Sequence, residues 1–168
     1  MNDLKQFAIE LVRDPIDTDR LLARARRPNC GAVLLFLGTT REWTGTNQTE
    51  FLEYEAYESM ALSEMQKLAE EALGRWSIQF VSIVHRLGRV DPGEASVAIV
   101  VSSAHRGAAF QAGKWLIDTL KELVPIWKKD HTASGSSDWL HPTIVSPKPL
   151  TLETGMDDSG RVISAEES

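Results

Sequence analysis

The run GAVLLFLG, Gly31 to Gly38, constrains the fold more than any other stretch of the chain. Six apolar residues between two glycines have the length of a strand and fall short of a helix, and no polar residue marks a solvent side. Such a run reads as a central strand buried on both faces, which needs covering elements above and below it. Amphipathic helices are available on either side in sequence. DTDRLLARARR, after Pro15, begins with Asp17 as a plausible N-cap. Ser59–Trp76 carries Leu62, Met65, Leu68, Ala69, Ala72 and Leu73 at spacings of three and four.

Further strands are expected at Gln6–Val12, at the alternating FLEYEAY from Phe51, at Ile78–His85 and at Ser96–Ser103. The DPGE at Asp91–Glu94 has turn chemistry and joins the last two as a hairpin. TTREWTGTNQT, from Thr39, reads as a loop. The order βαββαββα predicts a mixed α/β domain with at least one antiparallel pair. One domain over residues 1–131 is expected, followed at 132–168 by an acidic, loosely ordered tail in which Trp139 is the one candidate anchor.

Charge follows the same division. The chain of 168 residues carries a formal −6, and residues 132–168 hold six acids against two bases, which accounts for −4 of it. The body is near neutral, so no basic face marks a nucleic-acid partner. Cys30 is the only cysteine, which excludes an internal disulfide and a zinc site of paired cysteines. The N-terminal MNDLKQFAIELVRD lacks a signal-peptide pattern. No apolar stretch reaches the roughly 18 residues of a membrane span. A cytoplasmic protein is expected.

Positive charge gathers in one segment, SSAHRGAAFQAGKWLIDTLKELVPIWKKD, Ser102–Asp130. At 100° per residue from Phe110, the residues Gly113, Leu116, Ile117, Leu120, Leu123 and Val124 form one apolar sector. Lys114 and Lys121 sit on its rim, where a lysine can lay its stem on the core and place its amine in a cleft. Pro125 disfavours helix at Val124, so the chain should turn there and bring Lys128 back toward Lys121. Two ammonium groups in one pocket would depress each other's pKa, a route to general acid–base work near neutral pH. At the other end, the helix N-terminus with His105 and Arg106 suits a phosphate. Arg41 would be a second anion ligand if its loop lies at the same sheet edge. Taken singly, each residue has an ordinary reading: a last-turn lysine complements the helix dipole, and Lys128-Lys129 can be a solvated pair. A phosphate-binding module without catalysis, or a Schiff-base enzyme using Lys121, fits parts of the set.

The combination resembles the catalytic, large-subunit family of molybdopterin synthase. GAVLLFLGTTRE, LEYEAYESMA, VSIVHRLGRVDPGEASVAIVVSSAHRGAAFQAG and LKELVPIWKKD occur in that family's order over Gly31–Asp130. The resemblance implies an α/β hammerhead with an additional antiparallel β subdomain. It implies conversion of cyclic pyranopterin monophosphate to the dithiolene molybdopterin. The two sulfurs come from a small ubiquitin-like partner whose C-terminal Gly-Gly ends in a thiocarboxylate, and no cofactor or metal takes part. It further implies a homodimer of large subunits with a small subunit at each outer end, a heterotetramer. By position, Lys121 matches the general acid/base that meets the partner's tail. Lys128 matches a second essential lysine, which stabilises negative charge or holds the pterin. Arg41, His105 and Arg106 match ligands of the phosphate and pterin, with Arg41 reaching across the dimer interface. Thr39, Thr40, Lys129 and Asp130 adjoin these as weaker pocket candidates. Asp130 stands where the family commonly has glutamate, which leaves its role open, and residues 42–49 vary in the family, so no role is carried to that loop.

Overall fold

The computed structural model describes residues 6–135 and, as backbone, 137–140. The expected helices and strands form close to their expected bounds: β1 (Phe7–Val12), α1 (Thr18–Ala25), β2 (Ala32–Thr39), β4 (Asn47–Ala56), α2 (Glu58–Arg75), β5 (Ile78–Arg86), β7 (Ala95–Ser103) and α3 (Arg106–Leu123). Asp17 caps α1 as anticipated, its carboxylate accepting from the Arg20 N–H at 2.9 Å. Four strands appear beyond that reading: β3 (Trp43–Thr44), β6 (Gly88–Val90), β8 (Ile126–Thr132) and β9 (Ser137–Leu140).

The first sheet has the order β1-β5-β7-β2. β1 runs parallel to β5, while β7 is antiparallel to both β5 and β2. Alternation along β7 divides the core in two. Val97, Ile99 and Val101 join residues of α2 and α3 on one face, and Ala98 and Val100 join Leu21 and Ala25 of α1 on the other. Each fully buried Val or Ile there contributes about 1.5–3 kcal/mol.

The place of GAVLLFLG is a correction. β2 is an edge strand, with Val33 and Leu37 both 37% exposed, and the central strands are β5 and β7. An apolar run shows that both faces dislike water; it carries no information about which neighbour supplies the cover. The stretch read as a loop after Thr39 is also corrected. It contains a β3–β4 hairpin whose turn uses Gly45 at φ +62°, a left-handed conformation that glycine adopts without strain.

The second sheet, β3-β4-β8-β9 with β6 also on β4, is the antiparallel addition to the mixed α/β fold. It grows from the end of the first sheet where β2 and β5 finish and β7 starts. β9 lies within the stretch expected to be loosely ordered, so regular structure continues to Leu140. Residues 141–168 of the expected tail lie outside the described residues. Among the described residues, no helix is long and apolar enough to cross a membrane.

Candidate active site

α3 starts immediately after β7, and two close contacts fix its course. A Cβ at Gly31 would stand 2.7 Å from the Ala104 carbonyl oxygen, and one at Gly113 would run into Leu34. The helix therefore lies tight over β2 and returns along the sheet. His105 is its N-cap residue without a side-chain cap bond, and Arg106 is its first residue; both are exposed. Arg106 lines a groove of about 260 Å³ with Gly31–Leu34, Ala109 and Phe110. Phe110 and Leu123, at the two margins of the apolar sector, are 61% and 59% exposed, so the buried stripe is narrower than expected.

Pro125 acts as anticipated. Val124 is the C-cap in an extended conformation, and β8 starts at Ile126. Lys121 sits exposed in the last turn of α3, and Lys128 is half-buried two residues into β8. Lys128 pairs across the sheet with Tyr54, and Asp130 with Leu52, while Lys129 pairs with Glu53. Successive strand residues face opposite ways, so Lys128 and Asp130 share the inner face and Lys129 lies on the outer one. On that outer face His131 meets the Glu53 carboxylate at 3.1 Å and stacks on Phe51.

The inner face holds a polar group that local sequence reading missed. Tyr54 packs edge-on against His85, ring centres 5.1 Å apart, and its hydroxyl contacts Ser96. Ser96 in turn donates to the Gly38 carbonyl at 3.2 Å. Burial raises the pKa of the Tyr54 hydroxyl, the Ser96 contact opposes that, and the Asp130 charge adds to it. Tyr54 is therefore a neutral donor beside Lys128. One Asp130 carboxylate oxygen is buried with no hydrogen-bond partner among the described residues. Only the β4–β8 register brings these residues together, and register is not written in either strand alone.

Thr39 is exposed at the end of β2, Thr40 is 3% exposed, and Arg41 is exposed beyond it. Lys114 forms an exposed ion pair with Asp118 at 2.6 Å. Among the described residues, Arg41, Lys121 and Lys128 form no ion pair. All three lie toward the end of the sheet where β2 and α3 finish. No three His, Cys, Asp or Glu among the described residues gather as a metal site.

Within a single chain the amines and the His-Arg corner do not meet. β2 and β7 are antiparallel, with Ala32 opposite Ser103 and Thr39 opposite Ala95. The corner after Ser103 and the Arg41 segment consequently lie at opposite ends of the strand pair, about 25 Å apart for an eight-residue strand. Lys121, fifteen residues along α3 from Arg106, is carried about as far by the helix rise. Two half-sites result: Arg41, Lys121, Lys128 and Asp130 at one end, His105 and Arg106 at the other.

Comparison with known proteins places this geometry. The model of the MoaE protein family matches residues 11–123. The molybdopterin synthase catalytic subunit of Bacillus subtilis is 40% identical over 131 residues, 78% of this chain and 83% of that protein. That of Culex quinquefasciatus is 45% identical over 134 residues, 78% of this chain and 85% of that protein. Among solved structures, the molybdopterin synthase from Staphylococcus aureus superposes with a TM-score of 0.74 at 40% identity, covering 81% of this chain and 97% of that one. The match takes in β2, the His-Arg corner and all of α3, and the chain belongs to the MoaE protein family.

Proposed function

We propose that this chain is the catalytic subunit of a cytoplasmic molybdopterin synthase, converting cyclic pyranopterin monophosphate to molybdopterin. Two sulfurs arrive as the C-terminal thiocarboxylate of a small ubiquitin-like partner. The observation that carries the reading is the cationic set Arg41, Lys121 and Lys128, without an ion pair among the described residues, at the end of the sheet where β2 and α3 finish. Both reactants are anions, and both must enter the same place.

Release of each sulfur exchanges a carbon–sulfur bond for a carbon–oxygen bond at the partner's C-terminus, with water supplying the oxygen. Negative charge develops on the acyl oxygen during that exchange, and a fixed ammonium beside it lowers the barrier. Lys128, set between Tyr54 and Asp130, has the position for this role. Lys121, exposed in the last turn of α3, is the general acid/base that meets the partner's tail. Arg41, His105 and Arg106 hold the phosphate and pterin, with Thr39 at the mouth. Thr40, being buried, shapes the wall, and the outward-facing Lys129 drops out of the pocket.

A second copy completes the site. β2 has no partner strand on its outer side among the described residues, and the exposed Val33, Leu37 and Phe110 flank that edge. Unpaired edges with apolar flanks invite pairing. Two β2 strands related by a two-fold axis run antiparallel. Each chain's His-Arg corner then meets its partner's Arg41 and Lys121, and two composite pockets form per dimer. Small subunits dock at the outer ends, giving the heterotetramer.

Reconstitution tests this directly. Protein mixed with thiocarboxylated small subunit and cyclic pyranopterin monophosphate should yield dithiolene product. Lys121→Ala and Lys128→Ala should each lower turnover by about 10²-fold or more, while Lys129→Ala stays within a few-fold. Undiminished product from Lys121→Ala would contradict the assignment.

A further inference from the structure

Arg41 extends from a strand end that its own sheet does not hold. The β2–β7 register slips between Gly38 and Thr39, so the ladder is already broken when the chain reaches Thr40. What fixes Thr40 is the β6–β7 turn. Its N–H donates to the Glu94 carbonyl at 3.0 Å, and its carbonyl accepts from the Gly93 N–H at 2.8 Å. Gly93 adopts φ +86°, which allows that N–H to face Thr40.

The turn is itself pinned by one carboxylate. Glu94 Oε2 accepts from the Asp91 N–H at 3.0 Å and from Arg86 Nη1 at 3.1 Å. Arg86 is 9% exposed, and its Nε is buried without a partner among the described residues. The pair is only part-buried, the Glu94 side chain being 37% exposed, so solvent screening leaves it little net stability. Its geometric effect is larger: Glu94 carries both the side-chain anchor and the carbonyl that grips Thr40. The chain of contacts runs from Arg86 through Glu94 and the Thr40 backbone to Arg41, one residue further on.

We propose that Arg86 and Glu94 are positioning residues that set where Arg41 meets the anionic substrate. The inference rests on the reading of Arg41 given above, and neither residue touches the substrate. Charge is needed only at the anchor, so Glu94→Gln keeps the shape and an acceptor for the Asp91 N–H while weakening the hold of Arg86.

The test combines steady-state turnover with amide hydrogen exchange on the full chain in complex with its thiocarboxylated partner. Glu94→Gln is expected to raise the KM for cyclic pyranopterin monophosphate about ten-fold, with kcat and the KM for the small subunit nearly unchanged. The Thr40 amide should exchange about ten-fold faster, with the amides of β7 unaffected. Arg86→Lys, which keeps the buried charge, should shift both readouts the same way by a smaller factor. In an Arg41→Ala background, Glu94→Gln should produce no further rise in KM. An unchanged KM and Thr40 exchange rate, or the same rise with Arg41 removed, would overturn the proposal. Wild-type protein that makes no product would overturn the functional reading instead, and Thr40 exchange would then decide the positioning on its own.

Discussion

At the scale of single residues, the junction between the two sheets is the most demanding place in the molecule. His85 is almost wholly buried beside Tyr54, and its Nδ1 lies 2.9 Å from the Arg86 carbonyl. A carbonyl only accepts, so Nδ1 carries a proton in this contact. Burial lowers its pKa from 6.5 to about 4, with the carbonyl contact opposing the shift. The sign follows from linkage: between those values the unfolded chain binds a proton that the folded one refuses, so stability falls as pH drops from 6.5 toward 4. The expected loss is about 3 kcal/mol across that window and levels off below it. Denaturant titrations of wild type and His85→Gln should diverge in slope over this range; parallel pH profiles would show that His85 does not titrate as described. Thr40, Tyr54 and Glu94 belong to the same junction.

At the scale of elements, the packing of α3 against β2 decides where the His-Arg corner sits. The Gly31 Cα faces the Ala104 carbonyl so closely that a methyl group needs a backbone shift. Gly31→Ala should therefore destabilise the fold by about 1–3 kcal/mol, measured by urea denaturation, and weaken binding of the anionic substrate; an unaltered midpoint would show that the corner yields freely. Much at this scale was legible in the sequence. The Asp17 cap, the stop at Pro125, the β7-turn-α3 unit and the DPGE turn all follow from local chemistry. What escaped was non-local. IWKKDHT shows no alternation of apolar and polar residues, and it becomes a strand because β4 offers Tyr54 and Leu52 as partners. GAVLLFLG looked central because its composition is apolar, yet its exposed Val33 and Leu37 belong to an edge. The residues of the candidate site were nameable from the chain; their division between two sheet ends required the antiparallel register.

At the scale of the whole molecule, the separation of the half-sites is the central fact. A single chain presents an amine end and a His-Arg end about 25 Å apart, and the two-fold dimer proposed above brings them together. The acidic character of the chain does not conflict with an anionic substrate, since residues 132–168 hold −4 of the formal −6 and the body is near neutral. Complementation between two inactive variants tests this arrangement most directly. Lys121→Ala and Arg106→Ala chains are unfolded together, refolded as a mixture with the thiocarboxylated small subunit, and assayed for dithiolene product. In a mixed dimer one pocket carries both lesions and the other carries none, so about a quarter of wild-type activity should return at equal mixing. Activity no greater than the sum of the two separate variants would contradict a pocket shared between chains.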